Sequence, residues 1–156
     1  MAERNPGDVV REIIDANLYM VLATADEDGR PWASPVYFAN AGYTELFWVS
    51  SPEVTHSRNI AVRPDVGIVV FDSQVAISTG QGVYMTGIAE AVGPEGIERG
   101  LDVFSRRSLT HGGRVWTAAD VQIEGESAIR LYRATAATHS ILAKDGRPDH
   151  RVPVDL

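Results

Sequence analysis

The chain contains no cysteine, which excludes disulfides, thiolate zinc sites and cysteine nucleophiles together. It has no apolar run approaching the ~20 residues of a membrane-spanning helix. Its first residues, MAERNPGDVV, lack the apolar segment of a secretory signal. These absences lead us to expect a cytoplasmic protein with no membrane partner. Histidine is sparse: His56, His111, His139 and His150 stand far apart with no H-x-x-x-H spacing, so no metal site is expected. There is no G-x-S-x-G elbow, and the Ser-His adjacency in T-H-S-R-N has no orienting carboxylate nearby, which argues against a Ser-His-Asp hydrolase. Basic residues are outnumbered, giving a formal charge of −7. Binding to a nucleic-acid backbone needs a net basic face, so no nucleic acid is expected as partner; a single phosphate needs only a few donors. Repeats, low-complexity runs and linkers are also missing. With 156 residues and 44% hydrophobic content, residues 1–156 read as one domain able to bury a core.

What is present is mostly strand. A helix over residues 6–17 is predicted from Asn5 as N-cap, Pro6 at the first position and Asp8 three residues past the cap. Val9, Val10, Ile13 and Ile14 form its apolar face. Strands fall at 18–25, 32–39, 43–50, 66–72 and 81–92, rich in β-branched and aromatic residues, with turns at Asp28-Gly29 and Asn40-Ala41-Gly42. A second helix over 94–107 carries Ile97, Leu101 and Phe104 at helical spacing and is expected to plug one end of a closed antiparallel barrel. Thr117 to Asp120 marks a short helical turn, Trp116 an anchor between loops, and AIRLYRATA and HRVPVDL the final strands.

The most informative stretch is WVSSPEVTHSRNIAVRP, from Trp48 to Pro64. An apolar strand ends in the hydroxyls of Ser50 and Ser51, and Ser51-Pro52-Glu53 reads as an N-cap, a proline at the first helical position and an acidic first turn. A helix N-terminus favours an anion through its free N–H groups and dipole. Thr55, His56, Ser57, Arg58 and Asn59 add polar or basic groups on the following turns. The alternative is an ordinary capped surface helix with Arg58 and Asn59 solvated.

In order along the chain come G-R-P-W-A-S-P-V-Y-F, F-W-V-S-S, T-H-S-R-N-I-x-x-R-P-x-V and Q-G-V-Y-M-T-G-x-A. This series resembles the flavin-binding split-barrel family typified by pyridoxamine 5'-phosphate oxidase, from about residue 8 to residue 92 and more thinly beyond. The resemblance implies a mainly β fold with flanking helices, a six-stranded antiparallel split β-barrel. It also implies a homodimer binding FMN in two clefts at the subunit seam, with hydride moving between a nicotinamide or small organic substrate and the flavin.

Carried over by position, Ser34, Pro35, Val36 and Tyr37 run beside the isoalloxazine ring and recognise it largely through backbone groups. Val49 and Ser50 fall where the family contacts ring and phosphate. Thr55 and His56 replace an Arg-Lys pair on the phosphate, leaving Arg58 as the compensating cation if it turns inward. Gln81 or Gly82 lies near a flavin-contacting glutamine, although counting back from Gly87 places Gln81 one residue out of register. His139 falls in the loop after RLYRATA, near the partner chain's flavin, and Asp149-His150-Arg151 could supply a substrate-side cation. Trp32, Tyr37, Trp48 and Tyr84 either flank a flavin or fill core and interface. The substrate-phosphate motif of true pyridoxamine phosphate oxidases is not recognisable, so that activity is not expected. Two alternatives stand beside FMN. One is a deazaflavin coenzyme, for whose anionic tail a chain of charge −7 offers no obvious basic groove. The other is a non-catalytic flavin or haem carrier with His139 or His150 as axial ligand.

Overall fold

The computed structural model describes residues 3–121 and 129–156. Helix α1 (Pro6–Ala16) starts where the sequence places it, with the Asn5 side chain accepting a hydrogen bond from the Gly7 N–H at 2.8 Å. Then come β1 (Tyr19–Ala25), β2 (Pro31–Tyr37), β3 (Ala39–Ala41), β4 (Glu45–Ser50), α2 (Thr55–Val62), β5 (Asp65–Phe71), β6 (Gly82–Ala91), α3 (Ile97–Thr110), β7 (Arg130–Leu142) and β8 (Arg151–Pro153). The strands make one curled antiparallel sheet in the order β2-β1-β5-β6-β7-β4-β3, with β8 on β7. No helix among the described residues is long and apolar enough to cross a membrane.

The mainly β split barrel is as expected, but it has eight strands rather than six. The sequence itself offers seven strands, and one difference brings the count to eight. The expected strand over 32–39 divides at Phe38, whose N–H still reaches the Leu18 carbonyl in register with β1, and from Ala39 the chain pairs with β4 as β3. HRVPVDL supplies the expected final strand, β8, along the end of β7. Strand β7 is itself longer than AIRLYRATA implies, so His139 lies within a strand and not in a loop; Ala128, where that strand was expected to start, lies outside the described residues. The β6–β7 register shifts between Thr86 and Gly87, leaving Ala137 as the extra residue of a bulge. Gly87 is needed there because a Cβ would overlap the Thr135 carbonyl oxygen.

Successive side chains of a strand face opposite ways, and on β4 both faces are covered. Leu46 and Trp48 enter the barrel core with Met20, Leu22, Ile68, Val70, Val83 and Tyr132; Trp48 stacks on Tyr132 with ring centroids 5.7 Å apart. Phe47 and Val49 face outward into a second cluster with Ile97, Leu101, Phe104 and Leu131. This corrects the expected role of the second helix. Helix α3 begins at Ile97, not Pro94, and packs on the outer face of β3 and β4, whereas α1 contributes Val10 and Ile14 to the barrel core.

Candidate functional site

Strand β4 ends at Ser50, and the chain makes a tight turn before α2. The Ser51 hydroxyl accepts a hydrogen bond from the Glu53 N–H at 3.1 Å, so it shapes this turn and does not cap the helix. Helix α2 begins at Thr55, four residues beyond Ser51, with Val54 at the N-cap and no side-chain cap. The first-turn N–H groups therefore have neither an intrahelical partner nor a capping oxygen. His56, in that first turn, is 7% exposed and places Nε2 3.0 Å from Ser50 Oγ.

This pair sits in a cleft of about 430 Å³ lined by Pro35, Val36, Tyr37, Val49, Ser50 and His56, with Phe104, Ser108 and Trp116 opposite. Three consecutive β2 residues can line one hollow only if the strand presents its edge, since alternate side chains point to opposite faces. Strand β2 is a terminal strand of the sheet, so one row of its N–H and C=O groups has no ladder partner. The cleft thus joins a polar end, made by Ser50, His56 and the start of α2, to an aromatic wall. Tyr37 meets Phe104 edge-on at 5.7 Å, and Phe104 meets Trp116 edge-on at 5.8 Å.

The α3 side of the cleft was not anticipated as a wall of the site. Phe104, Ser108 and His111 recur at i, i+4 and i+7, a spacing that places them along one helix face. That periodicity was the available signal, but only the fold shows what it faces. Trp116 is fixed by its N–H donating to Ser105 Oγ at 2.8 Å, and Ser108 Oγ accepts from the Arg114 N–H at 3.1 Å.

The remaining sequence-derived residues lie elsewhere. Arg58 does not turn inward: it ion-pairs with Glu53 at 2.8 Å on the surface. Asn59 donates from its amide to Thr24 Oγ1 at 3.0 Å, pinning α2 to β1 in a buried contact. Ser57 is buried beside it and Thr55 is exposed. Ser34 is half-buried on β2 opposite Leu22. Gln81 and Gly82 line a separate hollow of about 300 Å³ with Phe71 and Tyr84. The Gln81 amide is occupied within its own chain, accepting from the Gly82 and Leu142 N–H groups and donating to the Leu142 carbonyl. His139 is buried and donates from Nε2 to the Tyr43 carbonyl at 2.7 Å. Among the described residues no three histidine or carboxylate side chains are grouped to hold a metal ion.

Burial pushes the His56 imidazolium below its ordinary value. A histidine that binds its proton less readily when folded takes one up on unfolding, so its contribution to stability is present above the unfolded value of ~6.5 and is lost as pH falls below it. Chemical denaturation at pH 7.5 and 5.5 is expected to show this loss in the parent and a smaller one in His56→Gln. Equal losses in the two proteins would mean that His56 titrates alike in both states.

The sequence profile of the pyridoxamine 5'-phosphate oxidase family matches residues 7–154, and the chain belongs to that family. Solved structures agree on the fold. A haem-binding protein from Mycobacterium smegmatis superposes with a TM-score of 0.72 at 19% identity, over 98% of this chain and 60% of its own. HutZ, the haem storage protein of Vibrio cholerae, gives 0.67 at 19% identity, over 85% of this chain and 91% of its own. ChuZ of Campylobacter jejuni gives 0.70 at 16% identity, over 96% and 61% respectively. This chain therefore spans about three-fifths of the length of the mycobacterial and Campylobacter proteins. No curated protein matches it in sequence.

Proposed function

We propose that this chain binds FMN in the cleft between β2, β4 and α3, and acts as a flavin-dependent oxidoreductase in the form of a cytoplasmic homodimer. The observation that carries the reading is convergence. Six residues chosen from sequence, Pro35, Val36, Tyr37, Val49, Ser50 and His56, meet in one cleft although they come from three elements. The cleft's chemistry fits the cofactor. Ser50, His56 and the uncapped first turn of α2 suit a phosphate, while the β2 edge offers donors and acceptors to a heterocycle and the aromatic wall gives an apolar surface for its plane.

When bound, the flavin supplies the hydride chemistry, and the protein binds, orients and shields it. The cleft lining contains neither lysine nor arginine, which favours a ligand with one phosphate over a deazaflavin bearing a polyanionic tail. The dimer reading is supported by the separate position of Gln81 and Gly82. A two-fold pairing that brings the hollow of one copy to the cleft of the other makes two equivalent composite sites. Trp32, 50% exposed, and Tyr19, 59% exposed, are large apolar side chains suited to such a seam.

Titrating the apo-protein while following flavin fluorescence should show quenching with micromolar or better affinity, and sedimentation should give a dimer. The FMN assignment fails if FMN is not quenched at high micromolar protein and a deazaflavin is equally inert. A monomer at tens of micromolar, with and without FMN, removes the shared site.

A second reading, a haem carrier using the same cleft, is favoured by one observation. Two of the solved structures that share this fold are a haem-binding protein and a haem storage protein. The porphyrin faces would suit the aromatic wall, and the propionates would suit the Ser50–His56 end.

A further inference from the structure

The turn that joins β5 to β6 presents an isoleucine to solvent. Ile77 is 96% exposed and stands with Ser78 at the centre of a tight turn, which is closed by the Thr79 N–H and hydroxyl donating to the Ala76 carbonyl at 3.1 and 2.7 Å. Ser78 takes φ 70°, a left-handed conformation uncommon for a residue other than glycine. The turn therefore holds Ile77 outward at a cost in backbone strain. Its surroundings are apolar. The pairing of β1 with β2 and with β5 puts Tyr37, Tyr19 and Phe71 at one end of the sheet. Tyr19 meets Tyr37 edge-on at 6.1 Å, and the exposed side chains of Tyr19, Phe71, Val75 and Ile77 carry apolar surface from the cleft's Tyr37 to the turn. From Ser73 to Ala89 the chain has no charged residue.

We propose that Ile77 of one copy enters the mouth of the cleft between β2, β4 and α3 of a second copy, as an apolar residue that the partner adds to the site. This rests on the dimer reading above and deepens it by naming the side chain exchanged. One exposed face holds both the projecting residue and the hollow. A two-fold interface requires that arrangement, because the same patch is used on both copies and each receives what the other inserts. Charge selects the hollow. Burying a carboxylate that lacks a partner is costly, and the hollow between α3 and Trp116 carries Glu98 and Asp102, while the one against α1 carries Glu12 and Asp72. The cleft is lined by no carboxylate, lysine or arginine, and its Tyr37, Phe104 and Trp116 offer an aliphatic side chain an apolar surface. Two chains of formal charge −7 repel one another, and an uncharged turn meeting an uncharged cleft joins them where neither surface adds to that repulsion. Seated there, Ile77 removes its own apolar surface and part of the aromatic wall from water.

The test uses the full chain. Because it has no cysteine, Ile77→Cys accepts a single benzophenone label, and irradiation of the labelled dimer is expected to join the label to the other chain at Tyr37, Phe104, Trp116 or their neighbours. Ile77→Asp should fold as the parent does, since the side chain is exposed. It should weaken both dimerisation and FMN affinity by ~10-fold or more, the effect of losing a central interface residue. Mixing Ile77→Asp, whose cleft is intact, with His56→Ala, whose turn is intact, should restore the parent's FMN affinity at one site in each mixed dimer. Adducts to the second copy's own turn, an Ile77→Asp dimer that binds FMN as tightly as the parent, or a mixture without recovery would each overturn the proposal. A monomeric parent removes the dimer reading and this inference together. A parent dimer that gives the expected adduct yet binds no FMN overturns the FMN reading alone and supports the contact.

Discussion

His56→Ala is expected to weaken FMN binding by about 1.5–3 kcal/mol at neutral pH, roughly a 10- to 150-fold loss, the range for a hydrogen bond to a charged group. In the empty protein burial holds the imidazole toward its neutral form. A phosphate is largely dianionic above its second pKa of ~6, and opposite charge favours the imidazolium. Binding should therefore draw a proton onto His56, and affinity should fall as pH rises through the histidine's value in the complex. His56→Ala should abolish that alkaline weakening. His56→Lys should extend binding to higher pH, because lysine titrates near ~10.4, at the cost of a buried ammonium in the empty protein. Ser50→Ala removes one neutral donor and should cost less, about 1 kcal/mol. Equal affinities of parent and His56→Ala from pH 6 to 9 would mean that the first-turn N–H groups of α2 hold the phosphate without the imidazole, since Arg58 is turned away toward Glu53.

Trp48→Ala is expected to destabilise the fold by about 3–5 kcal/mol, the range for truncating a large buried aromatic. Trp48 is fully buried, packs in the barrel core and stacks on Tyr132, its register partner across β4 and β7. Its removal leaves a void that neighbours on several strands would have to fill. Denaturant unfolding measures this directly. A loss below about 1 kcal/mol, accompanied by a large drop in flavin affinity, would return Trp48 to the role of a cofactor-flanking aromatic. Trp32 and Trp116 differ from it, one exposed on β2 and the other at the cleft wall.

Most strands and the start of α1 were legible because their signals are local. Asn5-Pro6 caps a helix whatever lies around it, and alternation between turn residues marks a strand within two or three residues. The strand count was not legible. Phe38 continues the apolar pattern of β2, yet from Ala39 the chain pairs with β4 instead of β1, a change of partner set by the curl of the sheet. The start of α2 was misplaced for a related reason. Ser51-Pro52-Glu53 carries the composition of an N-cap, but the Ser51 hydroxyl can serve a turn equally well, and the path from β4 decides between them.

The sequence by itself determined the family, the mainly β fold and the cleft's polar half, because Ser50 and His56 lie on adjoining elements of a recognisable motif. Only the tertiary structure decided which aromatics are core, that Arg58 leaves the cleft, that Gln81 ties β6 to β7, and that Phe104, Ser108 and Trp116 complete the opposite wall. The reason is separation along the chain. Tyr37 and His111 are 74 residues apart, and nothing in either neighbourhood names the other. Their meeting follows from α3 packing its apolar face against Phe47 and Leu131 on the outer side of the sheet, a burial that local spacing permits but that only the completed barrel supplies.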